Sequence, residues 1–286
     1  MKHFSRFVGI DWSGAKGASH RGIQVAEIEA NSRYPRLKSA PNGGRWGRSD
    51  IMEYIGSLQD KPTLVGIDFA FSVPWDDDSE FVRKLSDAPA LWSLVDSICA
   101  GTPHLYAGPI WMAEDSPFRP FIFHYQTRHK GERYSREKRR AVERREGNAI
   151  SVYHMAGPQV GAGSFSGMRM LHSLVKSHRE TVAIWPFDKL DRTKTTVVEI
   201  YPSFFYRKAG ARRPTSNDLK ALKFAEIDKT LKYYHAERGI NDVYRSVDQV
   251  DALIAAAALS ELADETSFEI PAAAALDLRE GWIFGV

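Results

Sequence analysis

The chain has 286 residues, 43% hydrophobic, 26% charged and 12% aromatic, which excludes a disordered polyelectrolyte and fits a folded core. Its formal net charge of +3 announces no polyanion partner, and no stretch approaches the roughly 18 apolar residues of a membrane span. One cysteine, Cys99, excludes an intrachain disulfide and fits a reducing, cytoplasmic location. Within Ser97-Ile98-Cys99-Ala100 it reads as a buried structural thiol. Met1 to Phe4 lead straight into strand-like sequence without the apolar region of a signal peptide. The sequence carries no internal repeat and no signature of an oligomeric state.

Residues 7–11 and 22–28 read as strands joined by a Gly/Ser/Lys-rich turn, and a weaker strand lies near Arg36-Leu37-Lys38. Asp50 to Leu58 reads as a helix, capped by Ser49 or Asp50, with Ile51, Tyr54, Ile55 and Leu58 at helical spacing. Lys61-Pro62 breaks it before a strand over 63–67. Residues 75–190 lose the βα alternation and predict a large, mostly helical and irregular insertion. A strand returns at Thr195–Tyr201, stopped by Pro202, and helices follow near 217–236 and 247–263. The expectation is one α/β domain, with its core from 1–74 and 191–286 and its insertion at 75–190.

Three apolar runs meet an acid. Phe7-Val8-Gly9-Ile10 ends on Asp11, Leu64-Val65-Gly66-Ile67 ends on Asp68, and Asp248-x-x-Asp251 opens the run from Ala252 to Leu259. Aspartate is disfavoured inside strands, so an acid closing such a run belongs at the strand's C-terminal edge, where α/β sheets bind ligands. Asp248 and Asp251 are three apart and share a helix face. Four convergent carboxylates suit a hard cation, Mg²⁺ or Mn²⁺. The order β-β-β-α-β, insertion, β-α is what an RNase H-like nuclease requires. Phosphodiester hydrolysis must activate a water and stabilise a leaving oxygen on opposite sides of phosphorus, which two ions about 3.5–4 Å apart accomplish.

With these motifs in order, the chain resembles the RNase H-like nucleases grouped as domain of unknown function 429. The resemblance rests on Val8-Gly9-Ile10-Asp11, Val65-Gly66-Ile67-Asp68 with Pro74, and Gly157-Pro158-Gln159-Val160-Gly161 through Ser164 and Gly167. It continues in Ala183-Ile184-Trp185-Pro186-Phe187, Val198-Glu199-Ile200-Tyr201-Pro202-Ser203, Asp248-x-x-Asp251-Ala252 and Glu280-Gly281-Trp282. It implies a five-stranded mixed sheet flanked by helices, and a metal-dependent nuclease acting on DNA or RNA. The acid spacing is also similar to that of Holliday-junction resolvases, which commonly carry Glu where this chain has Asp68. The expected metal ligands are Asp11, Asp68, Asp248 and Asp251. Asp11, Asp68, Glu199 and Asp251 are the expected catalytic set, and Glu199 orients water or a ligand.

Each feature has a plainer reading. Asp11 can belong to a turn, Asp248 and Asp251 can cap and polarise a helix, and Glu199 can serve a structural ion pair. From Arg128 to Arg145 nine Lys/Arg face three Glu. Arg136, Arg139, Arg140 and Arg144 can share a helix face, which makes Arg139, Arg140, Arg144 and Arg145 candidates for phosphate contact; the plain reading is a solvated helix. Gly157 to Gly167 offers backbone N–H groups to a phosphate but is not a dinucleotide fingerprint. Asp76-Asp77-Asp78 reads as an exposed acidic turn. Two rival functions are an actin-like or sugar-kinase-type ATP-binding protein, which shares the βββαβ start, and a non-catalytic nucleic-acid-binding protein on the same fold.

Overall fold

The computed structural model describes residues 3–41, 43–75, 79–155, 160–191, 193–264, 266–270 and 277–286. The first half holds β1 (Arg6–Asp11), β2 (Gln24–Glu29), β3 (Arg36–Lys38), α1 (Arg48–Ser57) and β4 (Thr63–Ile67). Then come α2 (Glu80–Arg83), α3 (Ala88–Ile98), α4 (Pro109–Met112), β5 (Phe123–His124), β6 (His129–Lys130), α5 (Ala141–Glu146) and β7 (His154–Met155). The chain continues through α6 (Val160–His178), β8 (Val182–Ile184), β9 (Thr195–Glu199), α7 (Pro202–Lys208), α8 (Ser216–Lys220), α9 (Ala225–Tyr233) and α10 (Val247–Leu262).

Six strands form the main mixed sheet in the order β3-β2-β1-β4-β9-β8, and β6-β5-β7 form a small second sheet. β1 pairs antiparallel with β2 and parallel with β4; β4, β9 and β8 continue in parallel. The sheet therefore has six strands where five were expected. The sixth, β8, lies inside the expected insertion, as does α6, which packs against α1, α3 and β8. Val182-Ala183-Ile184 is too short to show a period in the sequence, and pairing with β9 is what makes it a strand.

Every position of β1 and β4 is buried, as helices on both faces of a parallel sheet require. Val8, Ile10, Val65, Ile67 and Val197 point into a core shared with α1, α3 and α6. Phe7, Leu64, Val198 and Ile200 point the other way, into a core built with α7, α9 and α10. Gly9 lets α10 lie close, because a Cβ there would stand 2.3 Å from the Ala252 carbonyl oxygen. Alanines 252, 255, 256, 257 and 258, all buried, keep the helix thin along this seam.

Several local expectations are corrected. Asp50 is not the N-cap of α1; it sits in the first turn and its carboxylate accepts from the Gly47 N–H at 2.7 Å. The helix expected over 217–236 is two, α8 and α9, with Leu222 between them at φ 52°. Pro202 does more than stop β9: it occupies the first turn of α7, where its missing N–H costs nothing. In the basic segment only Ala141–Glu146 is helical, so the arginines at 136, 139 and 140 share no helix face with Arg144. Asp76-Asp77-Asp78 and Gly157-Pro158-Gln159 lie outside the described residues. The Cys99 thiol is free and buried, and burial pushes it up to about 11.

Candidate active site

Sheet register brings the first two acids together. Gly9 pairs with Gly66 and Ile10 with Ile67, and the Asp68 N–H donates to the Ile10 carbonyl at 3.0 Å. Asp11 and Asp68 thus stand abreast at the C-terminal ends of neighbouring parallel strands. Strand alternation turns both toward α10, because Phe7 and Leu64, four positions earlier in each strand, face that core. On α10, Ser246 caps the helix by accepting from the Gln249 N–H, which sets Asp248 in the first turn and Asp251 one turn on. The close seam at Gly9 then brings the helix start over the strand ends. Asp11, Asp68, Asp248 and Asp251 line one cleft of about 600 Å³.

Their charges act on one another. Burial, followed by Asp251, Asp68 and Asp248, holds the Asp11 carboxyl well above the usual carboxylate range, against the pull of Arg213. Asp68 is pushed up to about 8 by burial and by Asp251, again opposed by Arg213. Burial also raises Asp251 and Asp248, with Arg213 working in the other direction on both. Repulsion among crowded carboxylates is relieved either by a proton or by a bound cation.

One cation is already present. Arg213, in the segment between α7 and α8, donates from Nε to Asp251 Oδ2 at 2.7 Å and from Nη2 to the same oxygen. The Tyr206 hydroxyl donates to Asp251 Oδ1 at 3.0 Å. Both oxygens of Asp251 are therefore engaged, and as placed no three His, Cys, Asp or Glu among the described residues form a group that could hold an ion. The donor chemistry is nonetheless that of a hard cation, since the four aspartates lining the cleft offer carboxylate oxygens.

Glu199 lines the same cleft and its charge adds to the upward push on Asp68, but its carboxylate is taken up by an ion pair. Glu199 pairs with Ile67 in register and shares its face with Val197, so its side chain leaves the sheet on that side. There Arg140 donates from Nη1 to Glu199 Oε2 at 2.8 Å and from Nη2 to Oε1, and the Phe71 N–H donates to Oε2 at 2.9 Å. Arg140 also donates from Nε to Glu143 at 2.8 Å. The structural ion pair is thus what forms, and it corrects the reading of Arg140 as a surface phosphate contact: its side chain is 1% exposed. Arg144 and Arg145 are exposed, and Arg139 is half-buried. Arg139 reaches the Gly147 carbonyl, Arg144 the Arg139 carbonyl, and Arg145 lies over the Trp282 ring at 5.9 Å.

The Glu280-Gly281-Trp282 motif braces this wall. Glu280 accepts from the Trp75 N–H and the Ala141 N–H, both at 2.7 Å, and Gly281 adopts φ 74° against the Phe187 ring. The glycines of α6 serve packing. A Cβ on Gly161 would meet the Val152 carbonyl oxygen at 2.2 Å, and one on Gly167 the Phe69 ring at 2.4 Å. On the far side of the cleft, Arg48 donates to the carbonyls of Ser13 and Ala15 and fixes the turn after Asp11. Trp12 is tied to the Gly163 carbonyl at 3.0 Å.

Sequence reasoning missed Arg213 and Tyr206. Tyr206 sits in the helix that Pro202 starts, so the Tyr201-Pro202-Ser203 motif pointed to its neighbourhood. Nothing in Arg212-Arg213-Pro214 signals a contact with a helix 38 residues later. Comparison with known proteins finds no matching family model, no matching curated protein and no matching solved structure.

Proposed function

We propose that the protein is an RNase H-like nuclease that hydrolyses nucleic-acid phosphodiesters with Mg²⁺ or Mn²⁺. One observation carries this reading: Asp11, Asp68 and the Asp248/Asp251 pair, from three distant parts of the sequence, line one cleft at one end of the sheet. The strand order β3-β2-β1-β4-β9, with the last helix crossing β1, supports the fold assignment, and the order of acid-bearing motifs in the sequence is the ground for the chemistry. Asp11, Asp68, Asp248 and Asp251 would hold the ions, which when bound activate a water and stabilise the leaving oxygen.

The remaining work falls to this chain's own groups. Tyr206 orients Asp251 through its hydroxyl. The Arg140–Glu199 pair fixes the end of β9 and acts as a positioning unit. Arg144 and Arg145, exposed and outside the cleft, would attract the phosphate backbone, with half-buried Arg139 beside them. The test is a panel of labelled single-stranded, duplex, hybrid and four-way-junction substrates with Mn²⁺ or Mg²⁺. Cleavage by the wild type and none by Asp11→Asn supports the reading; cleavage that persists in Asp11→Asn, or silence on every substrate, refutes it.

A further inference from the structure

Of the two arginines lining the cleft, Arg140 is consumed by Glu143 and Glu199, whereas Arg213 is not sealed. Its side chain is 44% exposed, while that of its partner Asp251 is 1% exposed. Both donating nitrogens fall on a single oxygen, Oδ2, and Tyr206 holds Oδ1 from inside. The carboxylate is the fixed member of this pair and the guanidinium the movable one. The backbone around it is anchored: the Arg212 N–H donates to Glu226 at 3.0 Å and its guanidinium to Asp218 at 2.8 and 3.0 Å. Lys229 holds the Gly210 carbonyl at 2.6 Å, and the Thr215 N–H donates to Asp218 at 2.8 Å. Any exchange at Asp251 is therefore a swing of one side chain and leaves the segment in place.

We propose that Arg213 is a resident counter-ion which a divalent cation displaces from Asp251, and that the freed guanidinium then receives a phosphodiester oxyanion in the same cleft. The inference deepens the nuclease reading and rests on its metal. Charge drives the exchange: four carboxylates and one guanidinium leave the cluster at 4 − 1 = 3 formal negative charges, and a divalent ion offers twice the attraction of Arg213 at equal distance. The planar fork that grips one carboxylate matches a phosphate equally well. Metal and oxyanion then reinforce each other, because each favours the rotamer the other needs, and the coupling is reciprocal.

Mn²⁺ titrated calorimetrically into the full chain, with and without diethyl phosphate, tests this without any cleavage. Diethyl phosphate should tighten Mn²⁺ binding several-fold in the wild type. Arg213→Gln should bind Mn²⁺ alone about tenfold more tightly, equivalent to about 1.4 kcal/mol, and lose the diethyl phosphate effect. Arg213→Lys, which keeps charge without the fork, should bind Mn²⁺ like the wild type with a weaker diester effect. The proposal is overturned if Arg213→Gln binds Mn²⁺ no more tightly, if the diester effect survives in it, or if Mn²⁺ binds no form. Should Arg213→Gln fail to fold, a wild type indifferent to diethyl phosphate overturns it. Mn²⁺ exchange with no cleavage of any nucleic acid would refute the nuclease reading alone; cleavage with Mn²⁺ affinity unchanged in Arg213→Gln would refute only this inference.

Discussion

Gly9 faces the Ala252 carbonyl across the β1–α10 seam with no room for a side chain: an added Cβ would lie 2.3 Å from that oxygen and 2.6 Å from the Ala256 nitrogen. Both obstacles are backbone, so neither can turn aside. Gly9→Val must push the helix away from the strand, and overpacking of this kind typically costs about 1–3 kcal/mol. Because Asp248 and Asp251 ride on that helix, the folded variant should also gain less thermal stability from Mn²⁺ than the wild type. Thermal melts with and without Mn²⁺ read both effects; a wild-type Mn²⁺ increment would show that the seam does not set the site.

Asp11 is crowded by three other acids, so removing its charge should relieve the metal-free protein. Asp11→Asn is expected to raise the melting temperature in EDTA by about 2–4 °C per kcal/mol of repulsion removed. Millimolar Mn²⁺ should raise the wild-type midpoint with occupancy and the variant's much less. Equal Mn²⁺ shifts in the two proteins would separate metal binding from this cluster.

The acids predict an uncommon pH response. Asp68 sits at about 8 against an ordinary value of 3.8. Between those values the folded chain keeps a proton that the unfolded chain has released, so folding is favoured at low pH and loses ground as pH rises. This contribution is fully present below about pH 4 and gone by about pH 8. In EDTA, raising the pH from 5 to 8 should therefore lower the melting temperature, and Asp68→Asn should flatten the decline. An identical decline in Asp68→Asn would place its origin elsewhere.

Arginines of the basic segment should split into two kinds. Arg140→Met strands Glu143 and Glu199 without their shared cation in a buried setting, a loss of about 3–5 kcal/mol. Arg144→Gln with Arg145→Gln, both exposed, should change stability by no more than about 0.5 kcal/mol. On the nuclease reading the same double variant weakens nucleic-acid binding uniformly and flattens its salt dependence. Denaturant melts and a salt titration of binding check the two halves separately.

The acids were legible because strands that end on Asp, and a helix that begins Asp-x-x-Asp, announce where each carboxylate must stand. Register was not legible. The alternation Val197, Glu199, Tyr201 could be read from the sequence, but which face Asp68 used depended on how β4 met β9. That pairing turned Glu199 to the Val197 face and gave it Arg140 as partner, while leaving it in the same cleft as Asp68. Arg213 left no trace because its role depends on a tertiary approach between α7–α8 and α10, with no pattern of its own. The basic run misled for a related reason. Charge counting sees Arg128 to Arg145 as one surface, whereas Arg140 fills a hole among acids that lie far off in sequence.

The short outer strands of the sheet bear on how the protein behaves in concentrated solution. A long, flat, exposed edge invites another chain to add a strand, and such recruitment seeds aggregation. Here β3 offers only Arg36-Leu37-Lys38, with both charged residues exposed, and β8 offers only Val182 to Ile184 before Trp185-Pro186. Beyond β8, Ile283 bridges Glu199 and the Phe284 N–H donates to the Glu199 carbonyl at 2.8 Å, covering the part of β9 that β8 leaves bare. The apolar strands β1 and β4, the segments most prone to self-association if unpaired, are the two at the centre of the sheet. Lengthening β3, or replacing Arg36 and Lys38 with Val, would open that edge and turn it into a template for stacking.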